Sequence, residues 1–385
     1  MLFCFLCPVF CFLISPRCAR TKCAEGAKRK FFDMKTYKNL YPHIASFENL
    51  YDAWRKARRG KRYLPTVSSF EQKLDVELIT LHHDLLNETW QPGGYRSFTV
   101  HEPKRRKISA APFRDRVVHH ALINVIQPIY ERKFIFDSYA NRVGKGTHKA
   151  LDRCTYYMRR FKYVLQCDIQ QFFPAVDHEI LKSIFAKTIA CKPTLRLCEK
   201  ILDTGIGILS SEYHMRYFPS DDLLAVNRPR GLPIGNLTSQ FWANVYLNEL
   251  DQFVKHTLHC VGYVRYVDDF LLFADDKKSL HVWRARVIQF LQTLRLTLHE
   301  TRAQPTPTQH GIPVLGFTLY KTHRRLKRIK GIAYQRHLKT LWRYYKNGDI
   351  TREQGRASVM AWIGHVQHGD TWGLQRAIFR KVTQV

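Results

Sequence analysis

The stretch Val261-Gly-Tyr-Val-Arg-Tyr-Val-Asp268-Asp269-Phe-Leu-Leu-Phe-Ala274 places two neighbouring carboxylates between two apolar runs. Val261, Tyr263 and Val264 precede the pair and Phe270 to Phe273 follow it, the composition of buried strands. A tight hairpin turn between them presents the pair at a sheet edge. Adjacent anions beside buried strands repel each other, and each is costly to desolvate. That placement calls for a cation. Magnesium fits, because it takes hard oxygen ligands, uses few protein carboxylates and completes its octahedron with phosphate.

A second apolar run, Tyr163-Val-Leu-Gln-Cys-Asp168, also ends in a carboxylate. Three carboxylates from neighbouring strands can hold two Mg2+ ions roughly 3.5–4 Å apart. One ion then acidifies an attacking hydroxyl while the other neutralises a leaving phosphate. This is in-line phosphoryl transfer, driven by positioning and charge compensation. The expected catalytic and metal-binding set is Asp168, Asp268 and Asp269.

Outward from these strands the chain alternates helices and turns. Residues 47–91 read as helical, with Leu50, Ala53, Trp54 and Ala57 at helical spacing. After a basic break at Arg58 to Arg62, Leu74, Leu78, Leu81, Leu85 and Leu86 form a second stripe, and Pro92-Gly-Gly94 ends that helix. Tyr95 to Ser109 alternates like a hairpin whose tip, Pro103 to Lys107, carries Lys104, Arg105, Arg106 and Lys107. Such a tip suits phosphates, and equally suits a charged edge that discourages aggregation. Residues 115–135 read as a helix leading to the basic loop Ser138 to Lys149. Arg230 to Gln240 reads as a turn opening a helix from Phe241 to Leu250, and Asp275-Asp276 as a turn closing the hairpin. From about Arg324 the chain is basic and helical, with Tyr334, Trp342, Tyr344, Tyr345, Trp362 and Trp372 interleaved.

Composition narrows the partners. The 385 residues are 45% hydrophobic and 24% charged, which excludes a disordered chain. Lys plus Arg number 62 against 32 acidic residues, a formal charge of +30 that favours a polyanionic partner. Five of ten cysteines (Cys4, Cys7, Cys11, Cys18, Cys23) crowd the first 23 residues. Cys4 and Cys7 lack the second pair that a zinc site needs. The scattered remainder read as reduced, buried residues of a cytoplasmic protein. The apolar run Met1 to Ile14 has no preceding basic region and is short of the about 20 residues a membrane span needs. Met34 opens an ordinary sequence and is the expected start, and no other segment is apolar enough to span a bilayer.

Taken together, these motifs resemble the reverse transcriptase family, RNA-directed DNA polymerases, from Met34 onward. Tyr266-Val-Asp-Asp269 and Asp168-Ile-Gln-Gln-Phe-Phe-Pro-Ala-Val-Asp177-His are similar to the two palm motifs of the family. Arg114-Asp-Arg-Val-Val-His and Ser138-Tyr-Ala-Asn-Arg142 look like finger motifs shared with group II intron enzymes, and Val314-Leu-Gly-Phe317 like the primer grip. The resemblance implies an α+β right hand with an antiparallel-sheet palm, α/β fingers and a helical thumb. On that reading residues 1–33 are an extension outside the fold, 34–160 the N-terminal helices and fingers, 161–322 the palm and 323–385 the thumb. It further implies template RNA, primer or cDNA and dNTPs as partners, and no membrane. The incoming nucleotide would meet Arg106, Lys107, Arg114, Arg116, Phe173, Ile234, Gly235 and Gln240. Phe173 would exclude a ribose 2′-hydroxyl, and Leu315, Gly316 and Phe317 would hold the primer.

Two departures refine the resemblance. Many members carry Gln before the glycine and Pro after the serine of the loop Leu232-Pro-Ile-Gly-Asn-Leu-Thr-Ser-Gln240, where this chain has Ile234 and Gln240. That variant looks like the diversity-generating retroelement branch, whose members misinsert opposite template adenines and act with a small basic accessory protein. Loss of an amide at 234 weakens hydrogen bonds that discriminate a base pair. After the hairpin, Leu298-His-Glu-Thr-Arg302 offers Arg302 or His299 where relatives often place Lys, and Arg keeps its proton. A group II intron, retron or phage-defence type enzyme and a non-catalytic RNA-binding relative are the alternatives.

Overall fold

Periodicity and capping explain the order of elements, which a computed structural model describes for residues 36–101, 105–219 and 221–383. The apolar N-terminal run, Cys4 and Cys7, Met34, Pro103 and Lys104 lie outside the described residues. Four helices come first: α1 (Tyr41–Ala45), α2 (Phe47–Ala57), α3 (Pro65–Gln72) and α4 (Leu74–Leu86). Ser46 caps α2 by accepting from the Asn49 amide, and Leu50, Ala53, Trp54 and Ala57 form its buried face. The hairpin β1 (Arg96–Val100) and β2 (Arg106–Ala110) precedes α5 (Phe113–Glu131) and α6 (Thr147–Arg160). Next come β3 (Tyr163–Asp168), the single turn α7 (Phe172–Ala175), α8 (His178–Ala186), α9 (Lys192–Asp203) and α10 (Leu237–Gln252). The chain continues with β4 (Gly262–Tyr266), β5 (Asp269–Ala274), α11 (Lys277–Thr293) and β6 (Pro305–Pro307). It finishes with β7 (Ile312–Val314), β8 (Phe317–Leu319), β9 (Arg324–Leu326), α12 (Arg328–Lys346), α13 (Arg352–Val366) and α14 (Trp372–Thr383).

The central sheet is antiparallel, in the order β4-β5-β3-β6. Because side chains alternate faces along a strand, its strands serve two cores. Leu165, Cys167, Tyr263, Phe270 and Leu272 point into the main core with α5, α8, α10 and α11. Val164, Val264, Leu271 and Phe273 point into a second core with α6 and the three-stranded sheet β7-β8-β9. A third, small core of Tyr334, Leu338 and Ile378 holds α12, α13 and α14 together. Mixed helix and antiparallel sheet is the expected α+β class, with sheet, hairpin-bearing fingers and helical end as the three parts of a right hand. Asp168 closes β3, and Asp268 lies in the turn between β4 and β5, where the apolar runs placed them.

Some expectations shift. Helix α6 falls within the expected residues 34–160, and its Ala150, Leu151, Cys154 and Tyr157 share a core with the central sheet. The expected thumb boundary at 323 cuts through a sheet, because Arg324–Leu326 pairs with β8; the helical end begins at Arg328. The helix expected from Phe241 begins at Leu237. Arg106 and Lys107, expected at a hairpin tip, are strand residues on opposite faces of β2.

Packing at the start of β4 is tight. A Cβ on Gly262 would lie 2.7 Å from the Phe273 Cβ and 2.8 Å from the Phe161 ring. Gly262→Ala is expected to destabilise the fold by about 1–3 kcal/mol, the usual cost of overpacking. A denaturant midpoint equal to that of the unsubstituted chain would contradict this.

Candidate active site

The strand register builds the acidic edge. Asp168 is the direct cross-strand partner of Asp269, and Tyr266 is the partner of Asp269 on the other side. Asp168 and Asp269 therefore share the sheet face that carries Val264 and Leu271, with Cβ atoms about 4.5–5.5 Å apart. Asp268 occupies the two-residue turn Val267-Asp268. Burial first, and the charge of Asp168 after it, raise the Asp268 carboxyl above its ordinary pKa, against the lowering influence of Arg106 and Arg265.

Cations gather at this edge. Arg302 Nη1 lies 3.6 Å and His299 Nε2 3.8 Å from Asp168 Oδ2. The His299 amide donates to the Asp168 carbonyl at 2.9 Å, which keeps the segment after α11 beside β3. Both residues read as stand-ins for the family lysine thus meet the same aspartate. A cleft of about 400 Å³ opens over Asp168 and Asp269, lined also by Tyr266, Arg302, Leu315 and Lys327. Leu315 and Gly316 form the turn between β7 and β8, both at positive φ (47° and 90°), as a two-residue hairpin requires. Of the three expected primer-grip residues, Leu315 reaches the cleft and Gly316 the adjoining groove, whereas Phe317 is wholly buried in the second core.

The loop Leu232 to Gln240 is welded to the β1–β2 hairpin. The Ser109 amide donates to the Ile234 carbonyl at 2.8 Å, Asn236 Nδ2 donates to the Ser109 carbonyl at 2.8 Å, and the Ala111 amide donates to Asn236 Oδ1 at 3.1 Å. Gly235 sits at φ 116°, and a Cβ there would meet Ile108 at 2.8 Å, so both backbone and space demand glycine. Ile234 is half-buried and Gln240 exposed on the first turn of α10. Phe173 is half-buried and packs against the main core, which its neighbour Phe172 fills.

Only one of the four expected triphosphate cations faces the acidic edge. Arg106 acts electrostatically on Asp268. Lys107 donates to the Ile208 carbonyl at 2.9 Å on the other side of the strand. Arg114 pairs with Asp84 at 2.6 Å and Glu77 at 3.4 Å, fixing α5 to α4. Arg116 donates to the Ala111 carbonyl at 2.8 Å. In Ser138-Tyr-Ala-Asn-Arg142 the arginine is likewise structural, paired with Glu131 at 2.9 Å. Asp177 caps α8 and receives Arg295 at 2.7 Å.

Sequence reasoning missed Arg265, Asp251, Asn236 and Asp137. Arg265 and Asp251 are 1% and 0% exposed and form a bidentate pair, with Nε to Oδ1 and Nη2 to Oδ2 both 2.7 Å. Asp137 is buried among Arg153, Lys255 and Tyr157. An arginine inside the apolar run before the aspartates was the available signal, since a buried cation demands a partner.

The donor set is suited to a hard divalent cation: three carboxylates at one edge, two of them directly opposed, with burial first and the charge of Asp168 after it raising Asp268. Among the described residues, no three His, Cys, Asp or Glu side chains converge closely enough to hold a metal as they stand; Asp168 is turned toward Arg302 and His299. No helix among the described residues is long and apolar enough to cross a membrane.

Residues 100–319, more than half of the chain, match the family described as reverse transcriptase (RNA-dependent DNA polymerase). The chain is 22% identical over 306 residues to protein YkfC of Escherichia coli, covering 68% of this chain and 76% of YkfC. It is 25% identical over 216 residues to the group II intron-encoded protein LtrA of Lactococcus lactis, covering 55% of this chain but only 33% of LtrA. Among solved structures, a Candida albicans telomerase bound to a telomeric RNA fragment aligns with a TM-score of 0.42 at 11% identity, covering 62% of this chain and 46% of the telomerase.

The raised Asp268 pKa has a consequence for stability. A carboxyl whose folded pKa exceeds its unfolded value contributes stability at low pH that is lost as pH rises through the folded pKa. At neutral pH the ionised Asp268 therefore strains the metal-free fold. Asp268→Asn is expected to raise the melting temperature at neutral pH in chelator, with the gain shrinking toward pH of about 4. A lower melting temperature for the variant at neutral pH would count against this electrostatic account.

Proposed function

This chain belongs to the reverse transcriptase family, and on that premise we propose that it copies a template RNA into cDNA from dNTPs by metal-assisted nucleotidyl transfer. The observation that carries the reading is the direct opposition of Asp168 and Asp269 across β3 and β5, with Asp268 in the intervening turn. Asp168, Asp268 and Asp269 would hold two Mg2+ ions. Bound there, the metal supplies acidification of the primer 3′-hydroxyl and charge compensation at the leaving pyrophosphate.

The chain's own residues divide the remaining work. Arg106, close enough to act on Asp268, provides positive charge for the triphosphate. The ring of Phe173 blocks a 2′-hydroxyl. Leu315 and Gly316, across the cleft from Asp269, hold the primer end. The backbone of Ile234 and Gly235 is fixed on β2, so the side chain at 234 meets the nascent base pair from a rigid platform.

We assign the chain to the diversity-generating branch, copying with errors at template adenines alongside a small basic accessory protein. The support is Ile234, which brings no amide to that platform. The match to LtrA favours an intron-type enzyme as the second reading. Product fidelity separates the two.

Primer extension on an RNA template tests the proposal. With dNTPs and Mg2+ the chain should extend the primer, and Asp268→Ala should lower the rate by more than roughly a hundredfold, since even partners of metal ligands are worth about 10–100-fold. Errors concentrated opposite adenine support the diversity-generating reading, and Ile234→Gln should restore accuracy there. Accurate copying by the wild type moves the chain to the intron-type reading. Failure to extend even with the accessory protein and cognate RNA leaves an RNA-binding relative.

Phe173→Ala should raise ribonucleotide incorporation by about tenfold or more, the scale on which a hydrophobic pocket discriminates. Unchanged sugar selection in competition with rNTPs would remove Phe173 from that role.

A further inference from the structure

We infer that Arg265 is a positioning residue for the reaction, holding through the Val267 carbonyl the strained turn that presents Asp268. This inference rests on the polymerase reading of the acidic edge. Tyr266 pairs with Asp269, so the turn has two central residues, Val267 and Asp268. Val267 sits at φ 57°. Tight hairpins place Gly, Asn or Asp at such positions, and a β-branched side chain there is an outlier that persists only where surrounding contacts enforce it.

Arg265 supplies the enforcing contact. Its Nη1 donates to the Val267 carbonyl at 3.1 Å and to Asn244 Oδ1 at 3.0 Å. Nε and Nη2 are both taken by Asp251, which also accepts from the Tyr263 hydroxyl at 2.8 Å. The backbone of Arg265 is fixed as well: its amide donates to the Asp137 carbonyl at 2.9 Å and its carbonyl accepts from the Tyr139 amide at 3.0 Å. With Nη2 also donating to Ser138 Oγ at 3.4 Å, these attachments hold the guanidinium to the body of the protein while Nη1 reaches the peptide that precedes Asp268.

The geometry also says what Arg265 does not do. It points to the sheet face opposite Asp168 and Asp269, toward α10, and is only 1% exposed. It cannot touch a nucleotide or a primer in the cleft. Asp251 takes two of the five N–H donors of the guanidinium and Asn244 another; the bond to Val267 is what ties the pair to the acidic turn. A lysine can keep one ionic contact to Asp251, but a single ammonium cannot span Asp251 and Val267 with the planar fork's geometry.

The test uses the full chain, with Mn2+ as the probe, bound ion being read by electron paramagnetic resonance. Circular dichroism and melting establish that each variant is folded. Arg265→Lys should weaken Mn2+ binding by about tenfold and lower kcat for primer extension comparably, with the dNTP KM within about twofold. Adding Val267→Gly, which takes positive φ without strain, should recover at least about threefold of the lost Mn2+ affinity. If Arg265→Lys does not fold, Val267→Pro carries the test, because proline is fixed at negative φ and should weaken Mn2+ binding by about tenfold. A folded Arg265→Lys or Val267→Pro that binds Mn2+ like the wild type overturns the inference, as does absence of recovery in the double variant. A wild type that binds Mn2+ but extends no primer even with the accessory protein and cognate RNA, with binding still lost in Arg265→Lys, would sink the polymerase reading and leave the positioning role standing.

Discussion

Two like charges placed directly opposite each other on neighbouring strands repel, and this fold does so with Asp168 and Asp269 at the end of its central sheet. Asp268 adds a third carboxylate in the same turn. Repulsion of this kind is tolerated only when something compensates it, and the surroundings are organised to do so. Arg302 and His299 approach Asp168 from the segment after α11, and Arg106 and Arg265 bias Asp268 toward its ionised form. The compensation is partial, since burial and Asp168 still raise Asp268. The acidic edge is therefore held in a state that gains from a divalent cation, an arrangement that trades stability for function.

The carboxylates and their strands were legible because each apolar run ends at an aspartate, a pattern that only a sheet edge and a cation reconcile. The framework behind them was not. Arg265 is separated from Asp251 by 14 residues, and Asn236 from Ser109 and Ala111 by more than a hundred. Each pair joins residues on different elements, so only the tertiary fold reveals them. Local chemistry also misled where a charge had a structural use: Arg114 and Lys107 look like free cations in sequence but are spent on Asp84 and on the Ile208 carbonyl. Phe317 belongs to the expected primer grip by motif and to the second core by packing, because alternation in β8 turns it inward while Leu315 projects from the turn.

Asn236 gives the β1–β2 hairpin and the loop Leu232 to Gln240 a common mechanical fate. Its amide closes hydrogen bonds on both edges of the Ser109 to Ala111 peptide, and Gly235 allows the two backbones to touch. Arg106 on β2 and Ile234 on the loop are then fixed relative to each other. On the proposed reading, a residue change at 234 alters what the base pair would meet without moving the platform that carries it. On that reading fidelity can change at 234 independently of rate, because charge compensation and base contact would come from different side chains on one rigid unit.

The aromatic residues of the helical end divide in the same way between structure and surface. Tyr334 and Trp362 stack at 3.8 Å with their planes 1° apart and pack against Leu338 and Ile378, forming the core of α12 to α14. Trp342, Tyr344 and Tyr345 lie further along α12, each about two-fifths exposed, with Arg343 over Tyr344 and Lys346 over Trp342. Exposed aromatics sheathed by cations offer both stacking and phosphate neutralisation, the two contributions single-stranded nucleic acid draws on. The basic residues divide as well: Arg265 is buried against Asp251 and Arg114 is paired with Asp84 and Glu77, whereas Arg343 and Lys346 lie over exposed rings of α12.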